Sequence, residues 1–150
     1  MPNKKLIFLI FSIFFYCASL LMYVIAPFLF INKLNIEFFE PNIFCCIFIL
    51  ISFFFLFEKF QLKKLIKIKY IILFLLTYGT LVFGNNNVFD FVVKKIIEYY
   101  ENFNMTETYQ YEQLWSIWAN DLSRNLMYLF AIFYSSLTSL IYFIVVKIFR

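Results

Sequence analysis

The chain contains no histidine. Its absence removes Ser-His-Asp and Cys-His catalysis, histidine-ligated haem or zinc, and histidine proton relays. Only two glycines are present, Gly79 and Gly84, too few for a P-loop or a dinucleotide-binding fingerprint. The three cysteines, Cys17, Cys45 and Cys46, all fall in apolar runs. An odd number in that setting, with no CxxC spacing, is read as small packing residues rather than as a disulfide framework or a redox motif. No cofactor, metal or nucleic-acid partner is therefore expected.

Charge is scarce as well. Only 15% of the residues are Asp, Glu, Lys or Arg, against about 25% in a typical soluble domain. What fills the chain is apolar: 64% hydrophobic residues, including 24 Phe. A soluble protein of 150 residues has too little interior to hide them, so the expectation is an all-α membrane protein that treats the bilayer as its partner. The abundance of Phe, Tyr, Ile, Asn and Lys is the residue set of A/T-rich codons, as in a mobile element, an endosymbiont or an organelle.

Four apolar runs supply four transmembrane helices in one domain, at about 6–31, 41–60, 65–83 and 125–146. Lys4 and Lys5 precede the first, as in a signal peptide, but the run is too long and lacks a small-x-small cleavage site, so it reads as an uncleaved span. Pro41 suits the first turn of the second helix. Ser12, Tyr16, Ser19 and Tyr23 recur at helical spacing and form one polar stripe on the first span. Ala131, Ser135 and Ser139 follow small-xxx-small spacing on the last. Both patterns are the marks of helix-packing seams inside a membrane.

The link between the second and third runs, EKFQLKKLIKIK, carries Lys59, Lys63, Lys64, Lys67 and Lys69 against one acid. Lys63, Lys64, Lys67 and Lys69 are expected to anchor the topology on an anionic leaflet, with Lys67 and Lys69 snorkelling from the third helix. Nine of the 13 Lys and Arg lie at the two termini and in this link; Lys33, Lys94, Lys95 and Arg124 lie on the other side. The positive-inside rule then places both termini in the cytoplasm or an organelle matrix, in a bacterial inner membrane or alternatively a mitochondrial one. No acid or base sits mid-span, which argues against a pump or a proton-coupled carrier.

Residues 84–125 form the one long polar stretch and are expected outside, as amphipathic interfacial helices between spans 3 and 4. Asn87 reads as the cap of a helix from Val88 to Phe103, whose apolar face carries Phe89, Val92, Val93, Ile96, Tyr100 and Phe103. Asp90–Lys94 and Lys94–Glu98 are spaced as ion pairs. A second helix over 109–125 presents Tyr111, Leu114, Trp115, Trp118 and Leu122. Tyr111, Trp115 and Trp118 are the candidate contacts to the membrane interface or to a protein partner at the outer face.

Two families share features with this chain. Gly84-Asn85, Val88-Phe89-Asp90-Phe91 and Asn120-Asp121 resemble pieces of the lipoprotein signal peptidase family, which would make Asp90 and Asp121 a catalytic aspartyl pair. Trp118 and Asn120 replace the Asn and Ala of that family's second motif, and no Asp-Arg follows Gly84-Asn85. The four-span layout with inside termini, the Lys-rich link KKLIKIKY and the last span LFAIFYSSLTSLIYFIVV resemble the inner-membrane immunity proteins against pore-forming colicins. That resemblance implies a non-enzymatic protein that blocks a toxin's helices within the bilayer. A third reading is an accessory subunit of a larger membrane complex, such as an organellar respiratory one.

Overall fold

Long runs of Leu, Ile and Phe without charge leave the backbone one way to satisfy its polar groups in an apolar setting, which is to close them within helices. In the computed structural model, residues 4–31, 41–59, 68–108, 110–112 and 121–148 are described, and their regular structure is entirely helical. Helix α1 spans Lys4–Ile31 and α2 spans Pro41–Phe54, continued by a π-helical turn over Phe55–Lys59. Helix α3 spans Lys69–Phe83, a second π turn covers Gly84–Phe89, and α4 spans Asp90–Asn102. Helix α5 spans Asp121–Ile148.

Three of these helices are long and apolar enough to cross a membrane: Lys4–Leu29, Lys69–Asn102 and Leu126–Ile148. The chain is thus a helical protein suited to the bilayer. The apolar stretch Pro41–Phe57 is shorter.

The largest departure from the sequence reading is at Gly84. A helix end was expected there, with Asn87 capping a new helix. Instead the chain is helical without a break over the 34 residues Lys69–Asn102. Gly84 has φ −59°, Phe83 and Phe89 are also in the right-handed helical region, and no side chain caps the start of α4. The π turn absorbs the irregularity, as such turns do inside otherwise continuous helices.

Helix α1 packs along α2, and α3 packs along α5; α2 touches both members of the second pair. The shared core contains Tyr23, Ile49, Phe53, Phe57, Leu73, Leu81, Ala131 and Tyr142. Phe53 stacks on Phe57 with ring centroids 4.2 Å apart and meets Tyr142 edge-on at 5.2 Å. The buried stripe of α5 is Ala131, Ser135, Thr138, Tyr142 and Val146, whose steps of four, three, four and four follow the helical repeat. Ser139 lies beside that stripe, half-buried, and its hydroxyl has no hydrogen-bond partner among the described residues.

A small second core sits on α4. Val93 and Ile97 are buried, with Phe89, Ile96, Tyr100 and Tyr111 against them. The face is therefore rotated from the expected one: Ile97 is inside, while Phe103 is exposed. Glu98 takes Lys95 as its hydrogen-bonded ion partner at 2.6 Å, where Lys94 was expected. Both neighbours carry the same charge, and the i,i+3 spacing serves as well as i,i+4.

Candidate functional site

The polar stripe of α1 faces inward, and each member meets a specific group. Ser12 and Ser52 of α2 approach through their hydroxyls at 3.1 Å, and the Ser52 hydroxyl also donates to the Ser12 carbonyl at 2.7 Å. The Tyr16 hydroxyl lies 3.2 Å from that of Thr80 on α3. Ser19 donates to the Tyr16 carbonyl at 2.6 Å. One turn further, the fully buried Tyr23 donates its hydroxyl to Asn42 Oδ1 at 2.8 Å.

Asn42 is where the seam widens into a junction. Its Oδ1 also accepts from Asn85 Nδ2 at 2.9 Å, and the same nitrogen donates to the Leu81 carbonyl at 2.8 Å. The next residue, Asn86, donates to the Tyr128 hydroxyl on α5 at 3.0 Å. Tyr23, Asn42, Asn85, Asn86 and Tyr128 thus hydrogen-bond α1, α2, the π turn and α5 to one another at a single level. Such bonds between membrane helices contribute about 0.6 kcal/mol each on average, at most about 1.7, so their main effect is to fix register.

Gly84 makes that junction geometrically possible. A β-carbon there would overlap the Tyr23 ring, reaching to 2.8 Å from Cζ. Pro27, also fully buried, lacks the N–H that would bond the Tyr23 carbonyl four residues earlier. The close approach at residue 84 and the missing ladder bond at residue 27 meet at the same tyrosine.

The other expected sites fare differently. Lys69 was expected to snorkel. It is only 2% exposed, with Nζ 5.2 Å from the Tyr142 ring centroid and 5.3 Å from that of Tyr70. Aromatic faces attract an ammonium electrostatically, which offsets part of the loss of water. Lys63, Lys64 and Lys67, and the tryptophans Trp115 and Trp118, lie outside the described residues. Tyr111 is turned to an internal use: its hydroxyl donates to Glu101 Oε1 at 3.1 Å, and partial burial, then the neighbouring carboxylate, holds its pKa above the ordinary tyrosine value of 10.0. Asp90 begins α4, while Asp121 begins α5 with its side chain outside the described residues. Ala131 and Ser135 are buried on α5, and the Ser135 hydroxyl donates to the Ala131 carbonyl at 2.6 Å.

Ser52, Thr80, Asn42, Asn86 and Tyr128 escaped the sequence reading, and Asn85 entered it only within the Gly84-Asn85 piece. Asn42 and the Asn85–Asn87 run offered a signal, as amides at the edges of apolar runs, but of these only Asn87 reads as having a role, as a helix cap. The junction consists of hydroxyls and carboxamides, groups that position and recognise by hydrogen bonds and stay neutral at physiological pH. Among the described residues, no three His, Cys, Asp or Glu side chains cluster to hold a metal ion. No family model matches the chain, and no curated protein or solved structure matches it either.

Proposed function

We propose that the chain is a four-span inner-membrane protein with both termini on the cytoplasmic face. It acts without catalysis, through helix–helix and interfacial contacts, as an immunity or exclusion protein against a pore-forming bacteriocin. The fourth crossing is α2. Pro41 to the end of its π turn at Lys59 reaches the length of about 17–25 residues that a span requires.

The observation that carries the reading is the contrast between the two surfaces of the helices. Inside, the hydroxyls of α1 are paired with α2 and α3. Outside, α1 and α5 present broad apolar faces, with Phe14 63% exposed, Leu129 64% and Phe133 60%. Only lipid or other transmembrane helices cover such faces, so the surface free to engage a partner lies within the bilayer. A toxin's apolar helices fit that surface.

The test is a killing assay. Sensitive bacteria producing the protein are challenged with a panel of pore-forming bacteriocins, alongside cells producing the Asp90→Asn and Asp121→Asn variants. Protection by all three proteins is the expected result. Protection that vanishes with either aspartate would point to hydrolysis and sink the reading. So would recovery of the protein, in mild detergent, as a stoichiometric subunit of a larger complex.

A further inference from the structure

An open groove of about 520 Å³ runs between the end of α1 and the start of α4, walled by Val24, Phe28, Phe91, Ile96, Tyr99 and Tyr100. Its lining is apolar except for Lys95, which stands beside the Phe91 ring with Nζ 6.0 Å from the centroid. Lys95 in turn holds Glu98 Oε2 at 2.6 Å. The slot is therefore lined by one cation, Lys95, whose ion partner Glu98 stands next to it outside the lining, both substantially exposed (57% and 41%).

Depth fixes what meets this slot. Phe91 lies 22 residues beyond Lys69 and Lys95 lies 26 beyond, about 33 and 39 Å at about 1.5 Å per residue. On the other wall, Val24 and Phe28 lie 20 and 24 residues beyond Lys4, about 30 and 36 Å by the same measure. The hydrocarbon core is about 30 Å thick and the whole bilayer about 40–45 Å. With Lys4 and Lys69 taken as the near ends of their spans, both walls set the slot near the hydrocarbon boundary of the leaflet opposite the N-terminus, with Lys95 at headgroup depth. The same depth holds whichever side the termini face.

We propose that this groove seats one phospholipid of that leaflet with a phosphoethanolamine headgroup. An acyl chain lies along Val24, Phe28, Phe91 and Ile96. The phosphate accepts a hydrogen bond from the Lys95 ammonium, and the lipid's primary ammonium donates to the Glu98 carboxylate. The charge pattern selects the headgroup. A glycerol headgroup brings no cation to Glu98, and a choline has no N–H to donate.

The experiment is native mass spectrometry of the full chain released from bilayers of equal parts phosphatidylethanolamine, phosphatidylglycerol and phosphatidylcholine. One phosphatidylethanolamine per chain is the expected preferred adduct. Lys95→Ala and Glu98→Gln each lower its retention about tenfold, the size of one charge-assisted hydrogen bond. Val24→Trp fills the slot and removes the adduct, with helicity by circular dichroism reporting that the chain still folds. Equal retention of the three lipids, retention unchanged by Lys95→Ala, or a lipid-free dimer in place of the adduct overturns the proposal.

Discussion

The ring of Tyr23 occupies the space that a β-carbon on residue 84 would need. One aromatic side chain of α1 thereby dictates glycine on a different helix, 61 positions later in the sequence.

Gly84→Ala is expected to cost about 1–3 kcal/mol, the usual range for overpacking a filled interior. The ring is fully buried and hydrogen-bonded to Asn42, so it has little freedom to yield. Reversible unfolding in mixed micelles measures the loss. Tyr23→Leu removes the obstructing ring, and in that background the Gly84→Ala cost should shrink to a few tenths of a kcal/mol. An undiminished cost would mean that residue 84 needs glycine for another reason.

Asn42 and Asn85 form the second test. In a double-mutant cycle with Asn42→Ala and Asn85→Ala, the coupling should fall at about 0.6–1.7 kcal/mol, the range for hydrogen bonds between membrane helices. The bond shares its acceptor with Tyr23, and two donors to one oxygen compete, so Tyr23→Phe should raise that coupling. A coupling of zero would remove the junction from the forces that hold register.

Much of this bundle was legible in the sequence. The stripe Ser12, Tyr16, Ser19 and Tyr23 obeys the helical repeat, and a repeat is a local property that needs no knowledge of neighbours. Its partners were not legible, because Ser52, Thr80 and Asn42 acquire their meaning only when α2 and α3 are laid against α1. The Gly84-Asn85-Asn86-Asn87 run misled for a physical reason. Glycine and asparagine are what a helix end is made of, yet here tertiary contacts claim them: the Tyr23 ring takes the space at Gly84, and the carboxamides of Asn85 and Asn86 reach sideways to α2 and α5. Lys69 misled similarly. A terminal lysine reads as snorkelling until Tyr70 and Tyr142 present their faces to it.

Lys69→Met should weaken the contact between α3 and α5. A desolvated cation–π contact contributes about 2 kcal/mol, so Tyr142→Leu should cost about 2 kcal/mol less in the Lys69→Met background, its remaining cost coming from the lost ring contacts to Phe53 and Tyr70. A double-mutant cycle on the same unfolding assay measures this coupling. Fully additive costs would contradict the aromatic clamp.

The Tyr111–Glu101 contact carries a pH signature. The folded pKa of Tyr111 lies above its ordinary 10.0, so folding favours the neutral phenol. Its contribution is complete below about pH 10 and is lost as pH rises through the folded value. The phenolate absorbance of Tyr111 should therefore appear at higher pH in the native protein than in the unfolded chain, and Glu101→Gln should bring it earlier. Hydrogen exchange at residues 101–112 should quicken over the same range. An unchanged titration in Glu101→Gln would contradict the contact.

The proposed four-span arrangement can be tested in the exposed turn after α4. Asn104, in the exposed turn after α4 with φ 52°, begins the triplet Asn104-Met105-Thr106, which is an acceptor for glycan transfer wherever it faces a secretory lumen. Translated into microsomes, the chain should gain one glycan that Asn104→Gln abolishes, while an acceptor triplet appended after Arg150 stays unmodified. An unglycosylated Asn104, or a glycan on the appended triplet, would contradict the placement of the turn after α4 opposite the termini.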